Sequence, residues 1–200
     1  LVQEWPAFSI HDMAKDTKFP LAKDAKMTVE TLTKHLESFV TGSLKPHFKS
    51  EPIPKDEDVK ANPIRTLVHD NFDAVAMDKE KDVLVEIYDP LCGYCRRIAP
   101  EYEELAKDVA KASDKFIIAK YDGTANDIPA SLNFRLEHFP TFKLIKSGTN
   151  EVISYDGDLA YNNLAEFLEL KAGHKIHLEP KAVAIAPVSQ DTEGEHDDSE

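Results

Sequence analysis

The two cysteines carry the strongest chemical signal, because Cys92 and Cys95 are the only cysteines in 200 residues. Gly93 and Tyr94 separate them, a predicted strand (residues 82–88) precedes them, and a predicted helix follows. The start of a helix presents unpaired N–H groups and partial positive charge, which favour the thiolate of the first cysteine. The spacing therefore predicts thiol–disulfide exchange, with Cys92 as nucleophile and Cys95 as the resolving thiol.

The elements around the cysteines follow an alternating order. From Ile64 onward, hydrophobic patterns predict strands that alternate with helices and end in a hairpin and a last helix, with Asp70 capping the first helix. This order predicts an α/β fold with a mixed central sheet flanked by helices. Alternation in the strand before the cysteines places Glu86 inside, where burial raises the pKa of a carboxyl group. The alternative for Glu86 is a salt bridge to a lysine such as Lys120.

The rest of the chain divides into three parts. The pattern of residues 1–44 predicts two short strands and a helix capped by Thr28. This unit is too small to cover the apolar face of its own helix. We therefore expect this segment to dock on the domain that holds the cysteines, to dock on another copy, or to be poorly ordered. Residues 45–63 are proline-rich and predict a linker. Residues 174–200 predict an acidic disordered tail, with weak calcium binding as the alternative.

Composition excludes several function classes. The formal net charge of -13 argues against nucleic-acid binding, and no stretch is long and apolar enough to span a membrane. Two cysteines are too few for a disulfide framework or a four-cysteine zinc site. A mixed zinc site of Cys92 and Cys95 with His174 and His177 is an open alternative, although we expect no metal and no cofactor.

Three segments resemble the protein disulfide isomerase family. Residues 85–100 (VEIYDPLCGYCRRIAP) resemble its catalytic segment, residues 139–142 (FPTF) its cis-proline strand, and residues 155–157 (YDG) its edge strand before the last helix. The resemblance assigns residues 64–173 to a catalytic thioredoxin-like domain. It assigns residues 1–44 to the C-terminal half of a preceding non-catalytic thioredoxin-like domain.

The resemblance also implies roles for individual residues. Cys92 and Cys95 would alternate between a dithiol and a redox disulfide, and Glu86 would relay the proton of the second cysteine. Phe139-Pro140 would hold a cis peptide bond that leaves backbone groups free to pair with an extended substrate. Leu91 stands where the family usually has tryptophan, so it would keep the substrate-binding rim apolar with less contact area.

The residues near the cysteines differ from the family in charge. Tyr94 replaces a histidine whose positive charge would stabilise the Cys92 thiolate. We therefore hypothesise a higher Cys92 pKa and a more reducing pair than the usual isomerase, whose potential is about −180 mV. Arg96 would restore part of the positive field. Arg135 is a candidate for the arginine that the family often places shortly before the proline.

The family implies an activity, partners and a compartment. The activity is formation, breakage and rearrangement of disulfides in secretory proteins within the endoplasmic reticulum lumen. The partners are unfolded or misfolded cysteine-containing proteins, glutathione, and a flavin-dependent sulfhydryl oxidase, without nucleic acid or membrane. The alternative is a redox-quiet chaperone or scaffold module with the same fold.

Overall fold

The structure is a computed structural model that describes residues 7–15, 17–55 and 62–182. Its helices and strands follow in chain order. They are β1 (Ser9–Asp12), β2 (Thr17–Pro20), α1 (Val29–Val40), β3 (Ile64–Leu67), α2 (His69–Ala76), β4 (Asp82–Tyr88), α3 (Gly93–Ala112), β5 (Phe116–Asp122), β6 (Thr141–Ile145), β7 (Val152–Tyr155) and α4 (Tyr161–Lys171). A short 3-10 turn spans Ala130–Leu132.

A five-stranded mixed sheet forms the centre of the domain. Its strand order is β3-β5-β4-β6-β7, with β5 parallel to both β3 and β4, and with β6 antiparallel to its neighbours β4 and β7. The predicted α/β fold with a mixed sheet is confirmed. β4 pairs on both edges and is covered on both faces, which explains its nearly continuous apolar sequence.

The two faces of the sheet carry separate cores. On one face, Leu84 packs with Tyr102 from α3 and with side chains of α4. On the other face, Val85 and Ile87 pack with side chains of α2. The Tyr102 hydroxyl lies within hydrogen-bond distance of two backbone carbonyls, those of Leu84 in β4 and Ala119 in β5, and its single proton is shared between them, which ties α3 to the sheet. Glu86 shares the face of Leu84, under α3.

The N-terminal unit consists of the β1–β2 hairpin and α1. Thr28 caps α1 as predicted: its hydroxyl accepts from the backbone N–H of Thr31 at 3.2 Å. Phe19 of β2 packs edge-on against Phe39 of α1, with ring centroids 5.1 Å apart. Val29 remains exposed on the outer side of this helix.

The linker predicted over residues 45–63 lies partly against both neighbouring units. The backbone N–H of His47 donates to the carbonyl of Lys18 in β2 at 2.7 Å. Two residues later, the backbone N–H of Lys49 donates to the carboxylate of Asp127, beyond β5, and the carbonyl of Lys49 accepts from the backbone N–H of Asp127. Residues 56–61 of the predicted linker lie outside the described residues.

The start of α2 differs from the expectation that Asp70 caps it. The helix begins at His69 with Val68 as N-cap, and Asp70 lies in its first turn. The side chain that serves this end is Asn71, whose Oδ1 accepts from the backbone N–H of Val68 at 2.8 Å. Asp70 cannot be the N-cap, because the helix already begins one residue before it.

Packing against the central sheet continues beyond Gly173, the predicted end of the domain. The buried Asp82 carboxylate, at the start of β4, accepts hydrogen bonds from the backbone N–H groups of Gly173 at 2.7 Å and His174 at 2.8 Å. Leu178 is buried in the core, and Lys181 exchanges two hydrogen bonds with the side chain of an α4 asparagine. Residues 183–200, with most of the predicted acidic tail and its calcium alternative, lie outside the described residues.

Candidate active site

A turn between β4 and α3 positions the two cysteines. Asp89 forms this turn: its carboxylate accepts from the backbone N–H of Leu91 at 2.7 Å, and its carbonyl accepts from that of Cys92 at 3.0 Å. Cys92 is the N-cap of α3, and the backbone N–H of Cys95 donates to its Sγ at 3.3 Å. The sulfur of Cys92 therefore lies at the N-terminal end of α3, where unpaired backbone N–H groups best stabilise a negative charge.

The surroundings of the two thiols shift their pKa values in opposite directions. Hydrogen bonds from the Cys95 thiol and then from the Cys95 backbone N–H lower the pKa of Cys92. Burial, followed by the hydrogen bond to Cys92, raises the pKa of Cys95 to about 12. Both cysteines are free thiols, and Cys92 is partly exposed whereas Cys95 is buried. The arrangement favours one reactive thiolate beside one protonated thiol.

Phe139 and Pro140 face the first cysteine. The carbonyl oxygen of Phe139 lies 4.0 Å from the Sγ of Cys92. The peptide bond between Phe139 and Pro140 is cis. The segment predicted to bind substrate therefore borders the Cys92 sulfur, although 47 residues separate Cys92 from Phe139 along the chain.

Glu86 and Cys95 line one cleft of about 200 Å³, together with Lys120 and Arg96. Glu86 is 6% exposed, and burial raises its pKa to about 7, although the charge of Lys120 opposes this effect. Glu86 and Lys120 are partners in the parallel register of β4 and β5. Among the described residues, no ion pair within 4.0 Å joins them. The structure therefore favours a buried carboxyl group over the predicted alternative of a salt bridge.

The remaining predicted site residues lie at different distances from the sulfurs. Leu91 is 84% exposed and Tyr94 is 43% exposed, so both border the site on its outer side. The guanidinium of Arg97 lies 5.2 Å from the centroid of the Tyr94 ring. Gly93 begins α3, and a Cβ there would meet nothing within 4 Å. Arg135 is exposed and contacts neither cysteine through any hydrogen bond or ion pair in the described part of the chain.

Comparison with known proteins shows the family of the chain. The family model described as Thioredoxin matches residues 63–170, more than half of the chain. The chain belongs to the thioredoxin family. Within that family it is related to protein disulfide isomerases, since the protein disulfide-isomerase of Humicola insolens is 37% identical over 175 residues, which cover 86% of this chain and 33% of that protein.

Two further matches are a curated relative and a solved structure. The protein disulfide-isomerase of Alternaria alternata is 43% identical over 130 residues, covering 64% of this chain and 29% of its own length. The first thioredoxin domain of mouse protein disulfide-isomerase A4 is 30% identical, with a TM-score of 0.49 over 70% of this chain and 98% of that domain. The chain spans about a third of the length of the curated relatives that it matches.

The alternative zinc site does not form in this thioredoxin fold. The Nδ1 of His174 lies 2.8 Å from the carboxylate of Asp82, at the start of β4, whereas Cys92 follows the end of that strand. Seven residues of strand separate the two ends by about 20 Å. The described ranges contain no group of three or more His, Cys, Asp or Glu side chains arranged to hold a metal ion. The helices within those ranges include none with the length and apolar character of a membrane span.

Sequence analysis missed two residues that shape this thioredoxin site. Asp89 forms the turn before Cys92, and the Asp-Pro pair at positions 89–90 is a turn signal that could have identified it. Gly123 follows β5, and a Cβ there would lie 2.8 Å from the ring of Phe139. Its Asp-Gly pair predicts a turn, but only the folded chain brings Gly123 to the substrate-binding segment.

Proposed function

We propose that this chain is a thiol–disulfide oxidoreductase and isomerase that forms, breaks and rearranges disulfides in secretory proteins through its Cys-Gly-Tyr-Cys dithiol. The observation that carries the proposal is the asymmetry of the two sulfurs. Hydrogen bonds from the Cys95 thiol and from backbone N–H groups at the start of α3 lower the pKa of Cys92, and burial raises that of Cys95 to about 12. Such a pair attacks with one thiol and keeps the other protonated until it is needed.

The reaction begins with attack by the Cys92 thiolate on one sulfur of a substrate disulfide. A Cys92–substrate bond forms, the substrate disulfide breaks, and the other substrate sulfur leaves as a thiolate. The Phe139 carbonyl, 4.0 Å from the Cys92 sulfur, lies where an extended substrate backbone can pair with the chain. Leu91 offers an apolar surface beside that position.

The second step releases the substrate. Glu86 lines the same cleft as Cys95 and has a pKa of about 7, so near neutral pH a large fraction of it can accept the Cys95 proton. The Cys95 thiolate then attacks the Cys92 sulfur, and the substrate leaves as a thiol. Two electrons pass to the substrate, and the chain ends as a Cys92–Cys95 disulfide. The reverse sequence donates a disulfide to a substrate dithiol.

The substrates and compartment follow from the related isomerases. We propose unfolded or misfolded cysteine-containing proteins in the endoplasmic reticulum lumen as substrates, because protein disulfide isomerases are the matched relatives. Glutathione and a flavin-dependent sulfhydryl oxidase are the proposed redox partners. Arg96, which lines the cleft with Cys95, would add positive charge near the resolving thiol.

Refolding of a protein with scrambled disulfides tests the proposed function. The parental chain, Cys92→Ser and Cys95→Ser are compared in a glutathione buffer, with mass spectrometry of quenched samples. We expect Cys92→Ser to be inactive and Cys95→Ser to accumulate a mixed disulfide on Cys92. If all three chains assist refolding equally, the redox proposal is wrong and the redox-quiet chaperone reading takes its place.

A further inference from the structure

Asn126 lies at the junction of three separate chain segments. Its side chain is only 3% exposed, and its oxygen accepts from the backbone N–H groups of Glu51 at 2.8 Å and His69 at 3.3 Å. Its amide nitrogen donates to the Glu51 carboxylate and to the carbonyl of Asp122, each at 3.0 Å. A side-chain amide has two donors and two lone pairs, so every hydrogen-bonding position of Asn126 is used.

Neighbouring residues of the linker strengthen this junction. The backbone N–H of Lys49 donates to the carboxylate of Asp127 at 2.7 Å, and the backbone N–H of Asp127 donates to the carbonyl of Lys49 at 2.9 Å. The Lys49 ammonium donates to the carbonyl of Thr124 at 2.7 Å. Phe48 stacks on His69 with ring centroids 4.4 Å apart. The linker is therefore attached to the loop after β5 by backbone and charged contacts, and to the first residue of α2 by an aromatic contact.

The same loop contacts both sides of the active site. Gly123 donates its backbone N–H to the carbonyl of Tyr88 at 3.0 Å, directly before the Asp89 turn that holds Cys92. The missing Cβ of Gly123 leaves room for the ring of Phe139, which a Cβ would approach to 2.8 Å. A shift of this loop would therefore change where the Phe139 carbonyl lies relative to the Cys92 sulfur.

We propose that residues 48–51 and the loop 122–127, which we call the linker clamp, position Phe139 against Cys92, with Asn126 as the positioning residue. The inference rests on the proposed function, because it concerns how a peptide substrate is held there. Asn126 touches neither sulfur and acts through the loop. The linker clamp thereby makes the segment before the catalytic domain part of its substrate-binding geometry.

The proposal predicts a difference between large and small disulfides. A peptide must pair with the backbone beside Phe139 when Cys92 attacks it, so its rate depends on the position of that carbonyl. A small aromatic disulfide reagent forms no such backbone pairing, so its rate depends only on the ionisation and accessibility of the Cys92 sulfur. Loss of the linker clamp should therefore slow attack on a peptide disulfide by about five- to tenfold and leave attack on the small reagent unchanged.

Three variants of the full chain test this difference. Asn126→Asp keeps the shape of the side chain but places a carboxylate against that of Glu51. Adding Glu51→Gln to it removes that repulsion and should recover at least half of the lost peptide rate. Asn162→Ala is the matched control, because Asn162 also holds a peripheral segment by two hydrogen bonds, to Lys181, away from the cysteines.

Stopped-flow rates with both disulfides, together with thermal unfolding, decide the outcome. The proposal is supported if Asn126→Asp lowers the ratio of peptide rate to reagent rate, the double variant restores it, and Asn162→Ala leaves it unchanged. It is overturned if the ratio stays at the parental value in every variant, or falls equally in Asn162→Ala. A parental chain that attacks neither disulfide would instead refute the proposed function.

Discussion

Replacing Glu86 with glutamine should separate the two steps of the proposed reaction. Glu86 lies in the cleft with Cys95, whereas Cys92 is stabilised by hydrogen bonds from the Cys95 thiol and from the backbone N–H groups at the start of α3. We predict that Glu86→Gln leaves the first attack by Cys92 unchanged and slows the release of the mixed disulfide. The exchange keeps the size of the side chain and removes only its ability to accept a proton.

The magnitude follows from the two perturbed groups. Cys95 has a pKa of about 12 and Glu86 a pKa of about 7, so near neutral pH the cleft holds a thiol that rarely ionises unaided beside a carboxylate that can accept its proton. Positioned acids and bases contribute about 10²- to 10⁴-fold to a rate. We therefore expect release to slow by about 100-fold or more. In the parental chain, release should also rise with pH through about 7, and this inflection should be missing from the variant.

The same substitution should stabilise the fold at alkaline pH. Burial raises the Glu86 pKa from its ordinary value of 4.5 to about 7, so the folded chain loses stability as pH rises across that interval. The shift corresponds to about 3 kcal/mol at 1.36 kcal/mol per pK unit. Glu86→Gln should therefore unfold at higher urea concentration than the parental chain at pH 8, by up to this free energy, and should lose that advantage at pH 4.

Stopped-flow fluorescence with a quenched peptide disulfide measures attack and release separately, and urea unfolding at two pH values measures stability. Glu103→Gln is the matched control, since Glu103 is an exposed carboxylate at the same cleft. Equal slowing of attack and release in Glu86→Gln would refute the proton relay. A release rate that still rises with pH through about 7 in Glu86→Gln would refute the relay as well.

Three other substitutions test separate contacts. Asp82→Asn should destabilise the fold by about 3 kcal/mol in urea unfolding, because a buried carboxylate loses charge-assisted hydrogen bonds from Gly173 and His174. These bonds outweigh burial and lower the Asp82 pKa, so the stability they provide should vanish only as pH falls below about 3.8; an acid transition well above that pH would contradict this. Cys95→Ala should raise the Cys92 pKa in pH-dependent alkylation, because it removes the thiol hydrogen bond that lowers it most. Tyr94→His should add positive charge near Cys92 and make the pair more oxidising against glutathione, towards about −180 mV; a more reducing pair would refute the hypothesis for Tyr94.

Local patterns predicted the fold and part of the site. The mixed sheet follows from the order of strands and helices. The burial of Glu86 follows from its place in an apolar strand, which is the kind of strand that is covered on both faces. Cys92 could be placed at the start of a helix because helix signals follow it directly. These features depend only on residues that are close together along the chain, so a single sequence is enough to predict them.

Features that join distant segments were beyond sequence reasoning. Asn126 uses its four hydrogen bonds on the linker, the start of α2 and its own loop, and no local pattern brings those segments together. The packing beyond Gly173 depends on the Asp82 carboxylate, 91 residues earlier. Arg135 stays a candidate, because local sequence does not fix where the side chain of an exposed loop residue points.

The central claim is that one sulfur of the pair ionises easily and the other does not. Alkylation of the reduced chain across a pH series, with mass spectrometry to assign each cysteine, measures this directly. We predict that Cys92 is modified with a midpoint below about 8.5, the value of a free cysteine, while Cys95 stays unmodified throughout. Equal modification of both cysteines with a shared midpoint near 8.5 would contradict the account.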